Sequence, residues 1–450
     1  MKMQVRVLLG VLVALALMFL AGCGGSYNCA ITFGSSSCTP SGSGLGGSGT
    51  GGTGGGGGGG GTAPVAFAYA VDQTGGTTTG TMDGFVLSAG AATFGPINGF
   101  QSPAIPPTDP SIGVVVAQQQ FLYSAFPSTN QIYGWSIDKT SGALTAVSGS
   151  PYSVSYLGFV GVSGFNQLSM ITNPAGTLLF VADAGNDEIW VYQIGLAGGS
   201  TPGVLTPVPN SPFSTGTFQP WNMTTDGLGK YLYVTSITAD HLGLGIAAYS
   251  IGTGSSEGTL AAVAGSPFFS TQSAAYNMWA VQGEPTGTFL IGTSGETVAA
   301  GAAADDKNLY VYYIEQSGTA PGSIKPVANS PFATVYAPFN IAVQPVEANG
   351  EFVYSFGVSD AGAYTPTEGY LLNTTTGALT AITPGSPFSG VTFALFGQFD
   401  QSGDYLFSYG DTATPQLAVM DVTAGTGVLT EPLTPTPLVT TGYWAVTDPQ

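Results

Sequence analysis

Residues 203–213 read GVLTPVPNSPF, and residues 258–268 read GTLAAVAGSPF. The same frame returns as GALTAVSGSPY at 142–152 and GSIKPVANSPF at 322–332. With one inserted residue it reads GALTAITPGSPF at 377–388, and GVLTEPLTPTPL at 427–438 is a worn copy. The leading glycine falls at 142, 203, 258, 322, 377 and 427, in steps of 50 to 64 residues. A glycine-led turn, a short alternating run and a proline-fixed corner closing on an aromatic are the chemistry of β-structure. Repetition at this period marks an array of small sheets, each needing its neighbours to bury its faces.

Between the corners three further strand signals recur. A run such as WNMTTDGLG (221–229) ends in a glycine-containing turn. Next comes a mixed aromatic and aliphatic strand: YLYVTS (231–236), LLFVAD (178–183), FLYSAF (121–126), FVYSFG (352–357) or YLFSYG (405–410). The third reads IAAYSI (246–251), EIWVYQI (188–194), QIYGWSID (131–138) or LYVYYIE (309–315), and the LTPV run is the fourth. β-Branched and aromatic residues of period two, bounded by Gly, Pro, Asn and Asp, predict strands. No stretch after residue 22 has helical periodicity. Four strands per repeat predict an all-β, seven-bladed propeller. FAYAVD (67–72) and DGFVLS (83–88) supply a first blade that lacks its first strand, and GYWAVTDP (442–449) is a first strand with nothing after it. Pairing these two fragments closes the ring and removes the exposed edges of an open array.

The opening MKMQVRVLLGVLVALALMFLAGCGG places Lys2 and Arg6 before an apolar run from Val7 to Ala21. That run is too short for a comfortable membrane span and has the build of a signal peptide, expected over residues 1–22. Leu20-Ala21-Gly22-Cys23 matches a lipobox, so cleavage before Cys23 and lipidation of its thiol are expected, with the membrane as a partner through that lipid. Residues 23–62 contain a Gly/Ser/Thr-rich leash with an unbroken glycine run at 54–61. Such a segment buries no apolar surface and behaves as a flexible coil. Cys29 and Cys38 lie between anchor and leash, where an oxidising envelope permits a small closed loop. The propeller is expected over residues 63–450, and the bacterial cell envelope is its expected location.

The chain carries a net charge of −19, and past residue 22 its basic residues are Lys139, Lys230, Lys307 and Lys325, with no arginine. Nucleic acid is excluded as a partner, because neutralising phosphates needs a cationic face.

The YLYVTS strand, followed by a third strand, a TG-L-type turn and SPF, resembles the lactonase-type seven-bladed propellers with Tyr-Val-Thr-Asn repeats. The likeness spans the chain from about residue 63. It implies that fold and, at its best known, hydrolysis of 6-phosphogluconolactone. Opening a lactone needs a base to activate water and an electrophile for the oxyanion, and a phosphorylated substrate needs anion-binding groups. The family often carries Pro-x-His seven residues before the turn glycine. Here Pro220-Trp221-Asn222 precedes Gly229, and Asn222 stands where that histidine would be. Asparagine cannot shuttle a proton near neutral pH.

The one histidine, His241, lies in a loop beside Asp240 and is the candidate general base, with Asp240 as its partner. No G-x-S-x-G elbow accompanies it. In ADAGNDE (182–188), Asp183, Asn186 and Asp187 offer oxygen ligands that suit a hard cation such as calcium, without the full calcium-loop pattern; no cofactor is required. After several corners an aromatic directly precedes asparagine: Phe165-Asn166, Trp221-Asn222, Tyr276-Asn277 and Phe339-Asn340. These pairs are expected around one mouth of the central channel, where flat faces beside amides suit a neutral saccharide. The alternative is that the ring packs between blades while the asparagine caps a turn. The sequence reading is an envelope-anchored, lactonase-like propeller serving as a ligand-binding or protein-interaction module, with hydrolysis of an unphosphorylated lactone as its alternative.

Overall fold

The computed structural model describes residues 63–72, 80–88, 93–106, 113–154, 170–236, 245–268, 278–293, 306–345, 351–357, 359, 363–410, 416–438 and 444–447. Within these residues the chain forms seven antiparallel sheets and no α-helix, only two 3-10 turns at Pro127–Thr129 and Gly254–Ser256. Blade 3 shows the pattern. Met170–Thr172 is innermost, followed outward by Leu178–Asp183, Glu188–Ile194 and Leu205–Pro207. The innermost strands of blades 2, 4, 5, 6 and 7 are Val114–Ala117, Pro220–Thr225, Ala280–Gly283, Pro338–Val343 and Ala394–Phe399.

Blade 1 is built from both ends of the chain. Pro64–Asp72 and Thr81–Ser88 pair with each other, and the innermost strand is Trp444–Thr447. The antiparallel register runs Phe67 with Thr447, Ala68 with Val446, Tyr69 with Ala445 and Ala70 with Trp444. The predicted closure is therefore present. Around the ring each innermost strand neighbours the next, including Trp444–Thr447 against Val114–Ala117.

The core lies between blades. Seven apolar clusters each join two neighbouring blades, from blades 1 and 2 round to blades 7 and 1. The second strands supply much of this filling, because both their faces are covered. FLYSAF, LLFVAD and YLYVTS are buried at every position.

The repeated eleven residues make the outer edge and the seam. The motif folds as two short pieces on one partner: in blade 3, Leu205–Pro207 pairs with Tyr192–Ile194, and Phe213–Ser214 pairs with Glu188–Ile189. Between them the ladder is interrupted, and the motif serine fills the gap. Ser211 Oγ accepts from the Val191 N–H at 2.9 Å, while the Val208 N–H donates to the Val191 carbonyl at 3.1 Å. Ser150, Ser266, Ser330 and Ser386 do the same for Gly134, Ala248, Val311 and Gly369. A buried strand N–H left without an acceptor is costly, so the serine keeps the interrupted edge satisfied.

The leading glycine meets the preceding blade. Gly203 has φ of 71°, and a Cβ there would lie 2.5 Å from Phe121 Cδ1. Its carbonyl accepts from the Tyr123 hydroxyl at 2.6 Å. Tyr69, Tyr233 and Tyr354 bond Gly142, Gly322 and Gly427 in the same way. Burial holds these four phenols well above the ordinary tyrosine range, so they remain protonated donors. The motif recurs because the seam recurs.

Candidate functional site: the channel and its two mouths

All innermost strands run the same way round the ring, so they begin at one mouth of the channel and end at the other. The seven segments read WAVT, VVVA, MIT, PWNMTT, AVQG, PFNIAV and ALFGQF. None contains a charged residue or a histidine, although the chain as a whole is strongly acidic. No lysine is among them either. Lys230 precedes the second strand of blade 4, Lys307 precedes the third strand of blade 5, and Lys325, paired with Glu315 at 3.8 Å, lies on that blade's outer strand.

Where the strands begin, three aromatic rings from blades 4, 5 and 6 form one cluster. Trp221 meets Trp279 edge-on at 5.8 Å between centroids, and Trp279 meets Phe339 at 4.6 Å. Both tryptophans are buried and Phe339 is half-buried. Of the predicted aromatic-asparagine pairs, Trp221-Asn222 and Phe339-Asn340 therefore open the innermost strands of blades 4 and 6, with Trp279 of blade 5 between their rings. Phe165-Asn166 and Tyr276-Asn277 lie outside the described residues. Trp279 was missed because Ala280, not asparagine, follows it. The readable signal was Met278-Trp279-Ala280-Val281 in register with Pro220-Trp221-Asn222-Met223.

Asn222 is buried on a strand, so it caps no turn. Its Oδ1 accepts the Val281 N–H of the next blade at 3.0 Å, and its own N–H donates to Thr235 Oγ1 at 3.3 Å. Thr224 Oγ1 accepts similarly from Gly283, and Gln282 Oε1 from Val343. Amides and hydroxyls on the innermost strands thus knit blades 4, 5 and 6 where no strand pairing links them.

The carboxylates beside the second-to-third-strand loops are turned inward. Asp183 is buried and accepts from the Asn186 N–H at 3.2 Å, the Asn186 amide at 2.9 Å and the Trp190 indole at 3.4 Å. Asp187 takes the left-handed backbone at φ 56°, and its carbonyl accepts the Thr215 N–H. Burial, then the charge of Asp183, pushes the neighbouring Glu188 carboxyl up. Asp306 accepts from the Tyr310 hydroxyl at 2.6 Å and from the Asn308 amide. Glu368 accepts the Val335 and Tyr336 N–H groups and the Tyr370 hydroxyl, tying its blade to the preceding corner. Among the described residues no three His, Cys, Asp or Glu side chains converge as a metal would require. His241, Asp240 and Cys23 lie outside the described residues.

At the other mouth the turns carry side-chain caps that sequence reading passed over, three of them buried. Asn173 Oδ1 accepts from Thr177 and Leu178, Asp226 Oδ1 from Lys230 and Tyr231, Glu284 Oε1 from Phe289, and Asp400 Oδ1 from Tyr405. The signal was an Asn, Asp or Glu three residues before the turn glycine, in NPAG, DGLG, EPTG and DQSG.

These features define a seven-bladed propeller whose described innermost strands carry no charge. No protein-family profile matches the chain. A 6-phosphogluconolactonase of Xenorhabdus nematophila is 29% identical over 124 residues, which is 28% of this chain and about a third of that protein (32%). Among solved structures, a Bacteroides fragilis protein assigned as a 6-phosphogluconolactonase aligns with a TM-score of 0.58 and 15% identity, over 85% of this chain and 98% of that one. A similarly assigned Bacteroides uniformis protein gives 0.55 and 15%, over 82% and 95%. The periplasmic gluconolactonase of Pseudomonas aeruginosa gives 0.54 and 14%, over 86% and 100%. At these identities the likeness shows the shared fold.

Proposed function

We propose that this chain is a lactonase-type propeller that takes an unphosphorylated lactone at the aromatic mouth of its channel and opens it, held at the bacterial envelope by lipid on Cys23. The observation that carries the substrate class is the absence of any charged residue from the seven innermost strands. A phosphate would be desolvated there without a cation to offset the cost. A neutral ring suits aromatic faces and amides. The fold shared with proteins named for lactone hydrolysis supports the reaction. His241 is the candidate base, with Asp240 to orient it.

A second reading, binding without turnover, is favoured by the engaged state of Asp183, Asp306 and Glu368, each already bonded to protein donors. The two readings separate in one assay. Purified protein is expected to open glucono-1,5-lactone or a related neutral lactone faster than it opens the 6-phosphate. His241→Ala should lower that rate by about a hundredfold or more, the scale of general-base catalysis. Binding of neutral lactones without turnover would leave the binding module. Faster opening of the phosphorylated lactone would overturn the substrate class.

A further inference from the structure

At the mouth opposite the aromatic cluster, where the innermost strands end, lies a cavity of about 420 Å³ spanning residues of blades 2, 3, 4 and 7. Small-molecule sites occupy roughly 300–1,000 Å³. Gln118, Gln119, Asn173, Gln401, Thr172 and Thr225 supply its polar lining. Val116 and Ala175 contribute apolar surface, and no lining residue is charged.

The cavity has a cause in the chain. In blades 3, 4, 5 and 7 six residues separate the last paired positions of the first two strands, as between Thr172 and Leu179 or Phe399 and Leu406. Blade 2 leaves only three, between Ala117 and Phe121. The short turn places a gap in the rim where blades 3, 4, 5 and 7 set a capped loop. Gln118 and Gln119 make this turn with φ of 51° and 50°. Left-handed backbone at two successive residues is ordinarily left to Gly, Asn or Asp. The glutamine side chains explain the choice in part. Gln118 donates to the Gly176 carbonyl at 3.1 Å and accepts the Ala197 N–H at 2.8 Å, while Gln119 accepts from the Thr447 hydroxyl at 2.8 Å. Asn173 is fixed likewise by Thr177 and Leu178. The wall is thus held in place before any ligand arrives, which lowers the ordering cost of binding.

We propose that this cavity is a binding site for an uncharged polyhydroxylated ligand of mono- or disaccharide size, separate from the lactone site at the other mouth. Amides and hydroxyls both donate and accept, so they match sugar hydroxyls, and the uncharged lining gives no counter-ion to an acid or phosphate. The purified full-length protein should be titrated with glucose, maltose and glucose 6-phosphate by ligand-observed NMR and calorimetry. At least one neutral sugar should bind in the millimolar range or tighter, equally at about 50 and 500 mM salt. Ala175 is exposed, so Ala175→Trp should fill the cavity without unfolding the blade and weaken that binding at least about tenfold. Gln401→Trp, at a second exposed wall position, gives the same test should the first variant fail to fold. Lactone turnover should be unchanged in either variant, which keeps this site distinguishable from the reaction at the other mouth. Silence from both neutral sugars, wild-type affinity in the filled variant, or preference for glucose 6-phosphate would overturn the assignment.

Discussion

Asp226 closes the turn of blade 4 as Asn173 closes that of blade 3, each holding two successive N–H groups with one side-chain oxygen. The difference between them is charge. Asp226 is fully buried, and that burial pushes its carboxyl up, opposed by the N–H groups of Tyr231, Lys230 and Leu228 and the charge of Lys230. An acid raised in the fold is bound to its proton more tightly there than in the unfolded chain. Its contribution is therefore complete at low pH and declines as pH rises from the ordinary value of 3.8 through the folded value. Asparagine keeps the accepting oxygen and does not titrate. Relative to Asp226→Asn, the wild type is expected to lose stability between pH 3.5 and 7. Parallel urea titrations across that range check it. Parallel stability curves for the two proteins would mean that Asp226 ionises as freely in the fold as outside it.

At the scale of the element, the outer edge of each blade is where sequence and sheet disagree most. An alternating LTPV run suggests a simple fourth strand, yet only two or three residues pair before the corner turns the chain back. The serine before the corner proline answers the interruption, and its role is testable apart from the turn it sits in. Ser211→Ala leaves the Val191 N–H without its acceptor and should cost about 1–3 kcal/mol in chemical denaturation. Ser214→Ala, two residues past the proline, serves as the control, with an expected loss of a few tenths. Equal losses at the two positions would reduce the motif serine to a turn former. The aromatic residues obey a different logic. Tyr123 and Tyr233 face the glycine of the following blade, so their rings and hydroxyls belong to a seam between elements.

For the whole molecule the decisive contact is between residues separated by almost the entire chain. Trp444–Thr447 completes the first blade, and Gln119 ties Thr447 to blade 2. The propeller thereby has no free innermost edge, and all seven seams are filled. The proposed attachment rests on Cys23. Cys23→Ser is expected to release the protein from the membrane fraction or to leave an unprocessed precursor, read by fractionation and intact mass. A variant that keeps the mature mass and the membrane location would remove the lipid anchor from the proposal.

The sequence by itself determined the repeat, the four-stranded blade, the count of seven and the closure between ends. Each is written in local patterns of period two and in turn residues, which are set by neighbours along the chain. It also showed that the region beyond residue 22 carries four lysines and no arginine, enough to disfavour a phosphorylated ligand. Only the tertiary structure decided what the singled-out residues do. Asn222 reads like a recognition or turn residue, but its partner is Val281 of the next blade, 59 positions away. Trp279 escaped the aromatic-asparagine rule yet sits between Trp221 and Phe339. Asp183 reads in the sequence as a ligand for calcium, and the fold adds that it accepts from the Asn186 amide and the Trp190 indole. The cavity beside Gln118 lies at a turn three residues shorter than those of blades 3, 4, 5 and 7. Partners across a blade seam are chosen by the closure of the ring, and no local pattern encodes which residues that closure brings together.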